Sequence, residues 1–485
     1  MISFQTIPDA LRYPGAYIEI DGSQAGLGDD IPGVLLVGQK LSTGTAAAGE
    51  IIRISSVADA IAKAGQGSML AQMAIAYRKI DQVLDLYMLP YADNPAGVKA
   101  SAAIEVFGPA QQAGTLSLYI AGMLVSVGFT AGESAATIAD NIASVIDRPD
   151  LPVTAQSTGS LVTITAKHAG SAGNNIDINL NLFGESLNGI ELNIDAMVDG
   201  QGDPAPGDLS SIIGHHWYRY VALGMNDAAT LAAWHAESQA RYKPPVQNGF
   251  RVFAAYRGDY FSAANFGQTK NYEHISLLAL AYNPTSTWEA AAIVTAAAAP
   301  KLWNNPVESL EGIALPGMLA LEYYDWTQAN GLLFNGMSIM QVAKDGSCSI
   351  KRLISMYQTR ADGTTDDAFL DINAAEVMER IRYTQRIGAI KRFVGTAAAK
   401  NNEGYRPGLR ITTVDDVRAY LLSTYKHLLM AEKGWVQDYE FYKTNLVVEQ
   451  DASNPSRFNY LDTPVILSPF YVLAGRAQFR KTAVI

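Results

Sequence analysis

Val34-Leu35-Leu36-Val37 is an unbroken apolar run that ends at Gly38. A strand wetted on one face alternates polar and apolar residues. A continuous run suits a strand buried on both faces, and sheets covered on both faces are built from parallel strands joined by helices. The following segments agree: 57–80 carries a helical period and 83–89 is strand-like again, giving strand, helix, strand. The pattern stops at Pro90-Tyr91-Ala92-Asp93-Asn94-Pro95 and resumes beyond Gly207. There, strands are expected over 217–223, 251–256 and 275–282, and helices over 228–240 and 288–299. A grammar that breaks off and then resumes marks the interval as an insertion.

Inside the interval, Leu116, Leu118 and Ile120, then Val125, Val127 and Phe129, alternate on either side of Ala121-Gly122, a hairpin signature. Ile138, Ile142, Val145 and Ile146 share one face of a helix, and 153–156 and 161–166 flank Thr158-Gly159 as a second hairpin. Residues 98–200 hold three basic and ten acidic side chains, net −7. This is the composition of a water-facing, peripheral α+β module.

Farther on, Met337, Ile339 and Val342, then Cys348, Ile350 and Leu353, flank Asp345-Gly346 as a hairpin. Asn373 is placed to cap the next helix, with Glu376 three residues on and Ile372 and Val377 spaced as a hydrophobic staple. Thr413 and Asp416 form a capping pair for a later helix whose stripe is Val417, Leu421, Tyr425 and Leu428, stopped by Gly434. Residues 439–448 and 464–473 read as strands.

Both ends look like arms. The run Tyr13-Pro14-Gly15-Ala16-Tyr17-Ile18-Glu19-Ile20 is a strand with no neighbour in sequence, hence an edge of its own sheet or a strand for another subunit's. Residues 1–33 carry a net charge of −4, whereas 463–485, containing Arg476, Phe479 and Arg480, hold three basic residues and no acidic one.

A chain of 485 residues, 48% hydrophobic, should make about three domains with a sizeable core. A net charge of −11 argues against a nucleic-acid binder, which needs a clustered basic surface. The single cysteine, Cys348, excludes an intrachain disulfide framework and suits a reducing compartment. The N-terminus has no basic region before an apolar run, so no secretory signal is expected, and the apolar stretch 290–299 ends at Pro300, short of the ~20 residues a membrane span needs. No phosphate loop, dinucleotide fingerprint or nucleophile elbow occurs, and no third ligand follows His215-His216 at metal-binding spacing. His235 and Ser276 read as ordinary polar residues. No cofactor or metal is expected.

Basic residues do concentrate between 373 and 410. Arg380, Arg382, Arg386, Lys391, Arg392, Lys400, Arg406 and Arg410 stand against Glu376, Glu379 and Glu403, net +5. Either this is a solvated helix face, supported by Glu376 and Arg380 at i, i+4, or it is a surface steered to an acidic partner.

The order Asn335-Gly336, then Ile350-Lys351-Arg352-Leu353-Ile354-Ser355-Met356-Tyr357, then Asp366-Asp367, then Asp371-Ile372 resembles the core of phage contractile tail sheath proteins, and most of all their Mu-like branch. The resemblance implies an N-terminal linker arm at 1–33, an α/β sheath domain of subtilisin-like fold at 34–97 and 201–330, and an outer α+β protuberance at 98–200, which polymerisation is expected to spare because the flanking pattern continues across it and its composition is acidic and polar. A tube-proximal α+β domain at 331–474 and a C-terminal linker arm at 475–485 would follow. Such a subunit is not an enzyme. It stacks with itself in rings, expected to be hexameric, around a tail tube protein, with baseplate and terminator partners, no nucleic acid and no membrane insertion. The product is a virion tail assembled in the bacterial cytoplasm, and its contraction drives the tube through the host envelope. Since the domain carrying the basic cluster lies innermost in that family, Arg380, Arg382, Arg386, Lys391 and Arg392 are expected to contact the tube, and the terminal strands without a local partner are expected to link subunits through Tyr13, Tyr17, Ile18, Ile20, Arg476, Phe479 and Arg480. An α/β hydrolase with a pocket near His215 and a non-contractile adhesive virion protein are the alternatives.

Overall fold

The computed structural model describes residues 33–401, 403 and 409–479. The expected strand at Tyr13, Tyr17, Ile18 and Ile20 lies outside them, as do Arg406 and Arg480.

The fully buried run forms β1 (Gly33–Gln39), followed by β2 (Ile52–Ile54), α1 (Val57–Ala64), α2 (Met69–Arg78) and β3 (Leu86–Tyr91). The single helix expected over 57–80 is thus two. Gly65 ends the first at φ +89, a conformation side chains resist, and the Ser68 hydroxyl caps the second by accepting from the Ala71 N–H.

The insertion supplies β4 (Lys99–Phe107), β5 (Gly114–Ile120), β6 (Met123–Phe129), α3 (Ala135–Ile146), β7 (Val153–Thr158), β8 (Leu161–Ala169), β9 (Ile178–Leu180) and β10 (Glu191–Ile194). Both expected hairpins are present, and β4, β9 and β10 extend them into a four-stranded sheet ordered β10-β4-β8-β7 and a three-stranded sheet ordered β6-β5-β9.

Beyond it come α4 (Leu209–Ile213), β11 (Tyr218–Leu223), α5 (Ala228–Tyr242), β12 (Arg251–Arg257), α6 (Tyr260–Gln268), β13 (Ile275–Leu280) and α7 (Thr287–Asn304). These strands join the first three in one six-stranded sheet, ordered β13-β12-β11-β1-β3-β2. Its pairs are parallel except β2 with β3, so the sheet is mixed. Helix α7 was expected to stop at Pro300 but continues to Asn304. The proline forfeits one helical hydrogen bond, yet the next turn carries Leu302, which is fully buried.

Helix α8 (Trp326–Phe334) leads to β14 (Ile339–Val342) and β15 (Cys348–Arg352), the expected hairpin, with Gly346 at φ +81 in its turn. Helix α9 (Ile372–Phe393) has Asp371 rather than Asn373 at its N-cap. Asn373 is turned inward, where its amide donates to the carbonyls of Pro306 (2.8 Å) and Glu308 (2.9 Å). Nor do Ile372 and Val377 form a staple, for they enter different apolar clusters.

Helix α10 (Val414–Ser423) has the Thr413–Asp416 capping box and continues through a π-helical stretch, Thr424–Glu432, to Gly434 at φ +64. Residues 439–448 are not one strand. Tyr439–Asn445 is helix α11, capped by the Asp438 carboxylate accepting from the Phe441 N–H at 3.1 Å, and Tyr442 stacks on Tyr425 at 3.8 Å. Only Val447–Gln450 remains a strand, paired with Phe458–Leu461. Within 464–473 only Val465–Ile466 pairs, with Val436–Gln437.

The structure is therefore a mixed α/β chain with several sheets and two apolar cores. The larger is continuous from the six-stranded sheet into the insertion, and the smaller lies among α9, α10 and α11.

Candidate functional site

Two strands of the large sheet each carry one arginine into the interior: Arg219 on β11, 3% exposed, and Arg251 at the start of β12, 4% exposed. A buried guanidinium needs anionic partners, because its desolvation costs several kcal/mol, on the order of what a whole domain can spare. Helix α9 supplies them on successive turns. Arg219 Nη2 donates to Glu376 Oε2 at 2.6 Å, Arg219 Nη1 approaches Glu379 Oε2 at 3.4 Å, and Arg251 Nε lies 3.7 Å from Glu376 Oε1. Burial alone would lower the Arg219 pKa, but Glu376 and Glu379 outweigh it and hold that pKa above the usual arginine range. For Arg251, burial prevails and the pKa falls.

Two residues of the basic cluster join the same clasp. Arg382 donates to the Tyr242 carbonyl at 2.7 Å, lies over the Tyr242 ring and bridges to Glu379. Arg380 donates to the Trp303 carbonyl and covers the Trp303 ring, 3.6 Å from its centroid. The first half of α9 is accordingly a buried ionic seam against β11, β12 and the ends of α5 and α7, not a solvated face. The second half differs: Arg386 is half-buried beside Tyr383, while Lys391 and Arg392 are exposed in the last turn, where cations suit the helix dipole. The five residues expected together thus fall into two groups with different surroundings.

Arg219 and Arg251 went unnoticed in the sequence. The available signal was an arginine in an otherwise apolar strand, alone in β11 and at each end of β12, which must be paired if the strand is buried.

The remaining expected residues lie apart. Residues 467–479 run on without helix or strand, and Phe470, Val472, Leu473 and Phe479 are uncovered, Phe479 at 86%. Arg476 is exposed in the same stretch. His215 and His216 are exposed in the turn before β11. Ser276 is buried with its hydroxyl 3.0 Å from that of Ser338, and His235 lies against the Tyr272 ring, tilted by 32° with centroids 4.6 Å apart. Burial pushes the His235 pKa down to about 4, and His274 adds to the effect. Among the described residues, no three His, Cys, Asp or Glu side chains are placed to hold a metal, and no helix is long and apolar enough to cross a membrane.

No family model matches the chain. It is 32% identical over 486 residues to the Mu-like prophage FluMu tail sheath protein of Haemophilus influenzae, with 99% of each chain covered. The chain belongs to the Mu-like tail sheath proteins. Among solved structures it is similar to the sheath tail protein of Desulfitobacterium hafniense, with 16% identity, a TM-score of 0.47, and 93% of this chain and 100% of the other covered. It is also similar to the helical sheath of the anti-feeding prophage in its contracted state, with 12% identity, a TM-score of 0.45, and coverage of 97% and 99%. At such distances the structural likenesses add no weight, and the assignment rests on the full-length relative. For a tail sheath protein the α9 seam acquires a mechanical sense. It joins the large sheet to the smaller core through buried, hydrogen-bonded charge.

Proposed function

We propose that this sheath subunit polymerises as a helical stack of rings around a tail tube and stores free energy in an extended arrangement, released when the lattice shortens. The observation that carries this reading is the match to a tail sheath protein along essentially the whole chain. No bound cofactor is needed, since two packings of one subunit can differ by several kcal/mol, and a ring lattice adds that difference over every copy.

The chain divides, on this reading, into linker arms at 1–33 and 475–485, a sheath domain at 34–97 and 201–330 carrying the insertion 98–200, and a tube-proximal domain at 331–474. The uncovered apolar residues of 467–479 favour a C-terminal arm whose partners lie in another subunit. The acidic N-terminal and basic C-terminal arms can meet in one added sheet without like-charge repulsion. Of the basic cluster, Arg386, Lys391 and Arg392 are free to approach a tube, while Arg380 and Arg382 hold α9 in place. Hexameric rings, baseplate and terminator contacts, assembly in the bacterial cytoplasm and the absence of enzymatic activity complete the reading.

The test is assembly on a tube. Tails built with this sheath should show two states by electron microscopy, long and narrow before triggering, short and wide after it. A sheath of one fixed length under every trigger would favour a non-contractile structural protein instead.

A further inference from the structure

The four-stranded sheet of the insertion carries opposite charge at its two ends. Along β4, Ala100, Ala102, Ile104 and Val106 are buried, so Lys99 and Glu105, both exposed, share the outer face. Lys167 occupies that face on β8, in step with exposed Leu161 and Thr163. Register fixes the ends: Lys99 pairs with Ala169, Glu105 with Leu161, and Glu191 of β10 with Phe107. Lys99 and Lys167 therefore lie at the root, beside the large sheet, and Glu105 and Glu191 at the tip. At ~3.3 Å per residue, the six steps from Lys99 to Glu105 separate them by about 20 Å.

At the root, Lys40, Lys99 and Lys167 line a cleft of about 260 Å³ where β1 and β3 end. Asp93 also borders it, but its carboxylate is already committed, 2.8 Å from His168 Nδ1 and accepting from the Ala169 N–H (3.0 Å) and Gln39 Nε2 (2.9 Å). Lys167 is braced by the Pro149 carbonyl at 2.7 Å. Among the described residues none of the three lysines is in a direct ion pair, although Asp93 faces Lys99, and Asp147 and Asp150 face Lys167, at longer range.

We propose that this lysine cleft receives the Glu105–Glu191 tip of the insertion of a second copy. The proposal rests on the polymer described above and deepens it. Root and tip are different surfaces of one chain, so the contact is head-to-tail and repeats from copy to copy, around a ring or along a helical series. It gives the insertion a part in assembly beyond that of an outward protuberance.

A charge swap tests it. The variant Lys40→Glu/Lys99→Glu has an acidic root, and Glu105→Lys/Glu191→Lys has a basic tip; Lys167, braced by backbone, is left alone. Each variant alone should need about tenfold more protein to form tubes at roughly 0.05 M salt, a deficit that shrinks at about 0.5 M as screening removes the repulsion. An equimolar mixture should recover the wild-type concentration dependence, since every root then finds an opposite tip. Unchanged circular dichroism and melting midpoints establish that the variants fold; if either swap unfolds, Lys40→Gln/Lys99→Gln should still raise the required concentration, and no effect would overturn the contact. Wild-type-like assembly of the lysine variant at low salt would also overturn it, as would inorganic phosphate binding to the cleft with no change on swapping. A wild-type chain that never polymerises would overturn both this contact and the assembly on which it rests.

Discussion

At the level of single residues, the decisive feature is charge placed where water cannot reach it. Glu376 is 2% exposed and faces Arg219 and Arg251. Replacing Glu376 by Ala leaves two buried guanidinium groups short of a partner and should destabilise the fold by about 3–5 kcal/mol, read from denaturant melts. The paired change Arg219→Met/Glu376→Leu removes the closest pair together, though Arg251 and Glu379 each lose a partner, so it should cost less than the sum of the two single changes. Additive losses would mean that the seam is not coupled. His235 gives a pH effect of definite sign. Its folded pKa, about 4, lies below the ordinary value near 6.5, so the unfolded chain binds the proton more readily. The contribution is fully present above pH ~6.5 and lost as pH falls through about 4. His235→Gln should flatten the fall in stability across that window relative to wild type, and identical slopes would show that His235 titrates normally.

At the level of elements, α9 divides into a seam and a free end. Arg386→Glu/Lys391→Glu/Arg392→Glu should spare folding and tube-free polymerisation yet block extended assembly on the tube, visible as bare tubes by microscopy. Normal extended sheaths would make these residues a solvated helix end. Excision of 98–200 is a different matter from trimming a loop. His168 accepts from the Met69 N–H at 3.1 Å, and Met69 and Trp288 line one small cavity with Pro152, Ala166 and Ile176 of the insertion. Cutting it out uncovers that surface, so a short Gly-Ser replacement should lower the melting midpoint by several degrees; an unchanged midpoint would show that the joint contributes nothing. Several elements were legible in sequence because local pattern decides them. The unbroken Val34–Val37 run fixed a doubly covered strand, and Ala121-Gly122 and Asp345-Gly346 fixed hairpins. Others were not, because their causes are distant in sequence. Tyr439–Asn445 is rich in aromatic residues that suit a strand equally well, and what makes it helical is the Asp438 cap and the fit of Tyr442 onto Tyr425. Asn373 has the chemistry of a cap, but two carbonyls near 306 and 308 claim it. The Arg219–Glu376 pair spans 157 residues, and no local period reports it.

At the level of the whole molecule, the chain leaves Phe470, Val472, Leu473 and Phe479 uncovered along 467–479, a run of apolar surface that a solitary globular protein does not favour. That surplus makes sense for a subunit completed by its neighbours. Negative-stain microscopy of the purified full-length chain reads this directly. Long, regular hollow tubes are expected, lost on deletion of residues 1–21 or 475–485, each deletion leaving soluble subunits of unchanged helical content. Monomers or small closed oligomers of the intact chain under all salt conditions, or tubes from both deletions, would contradict it.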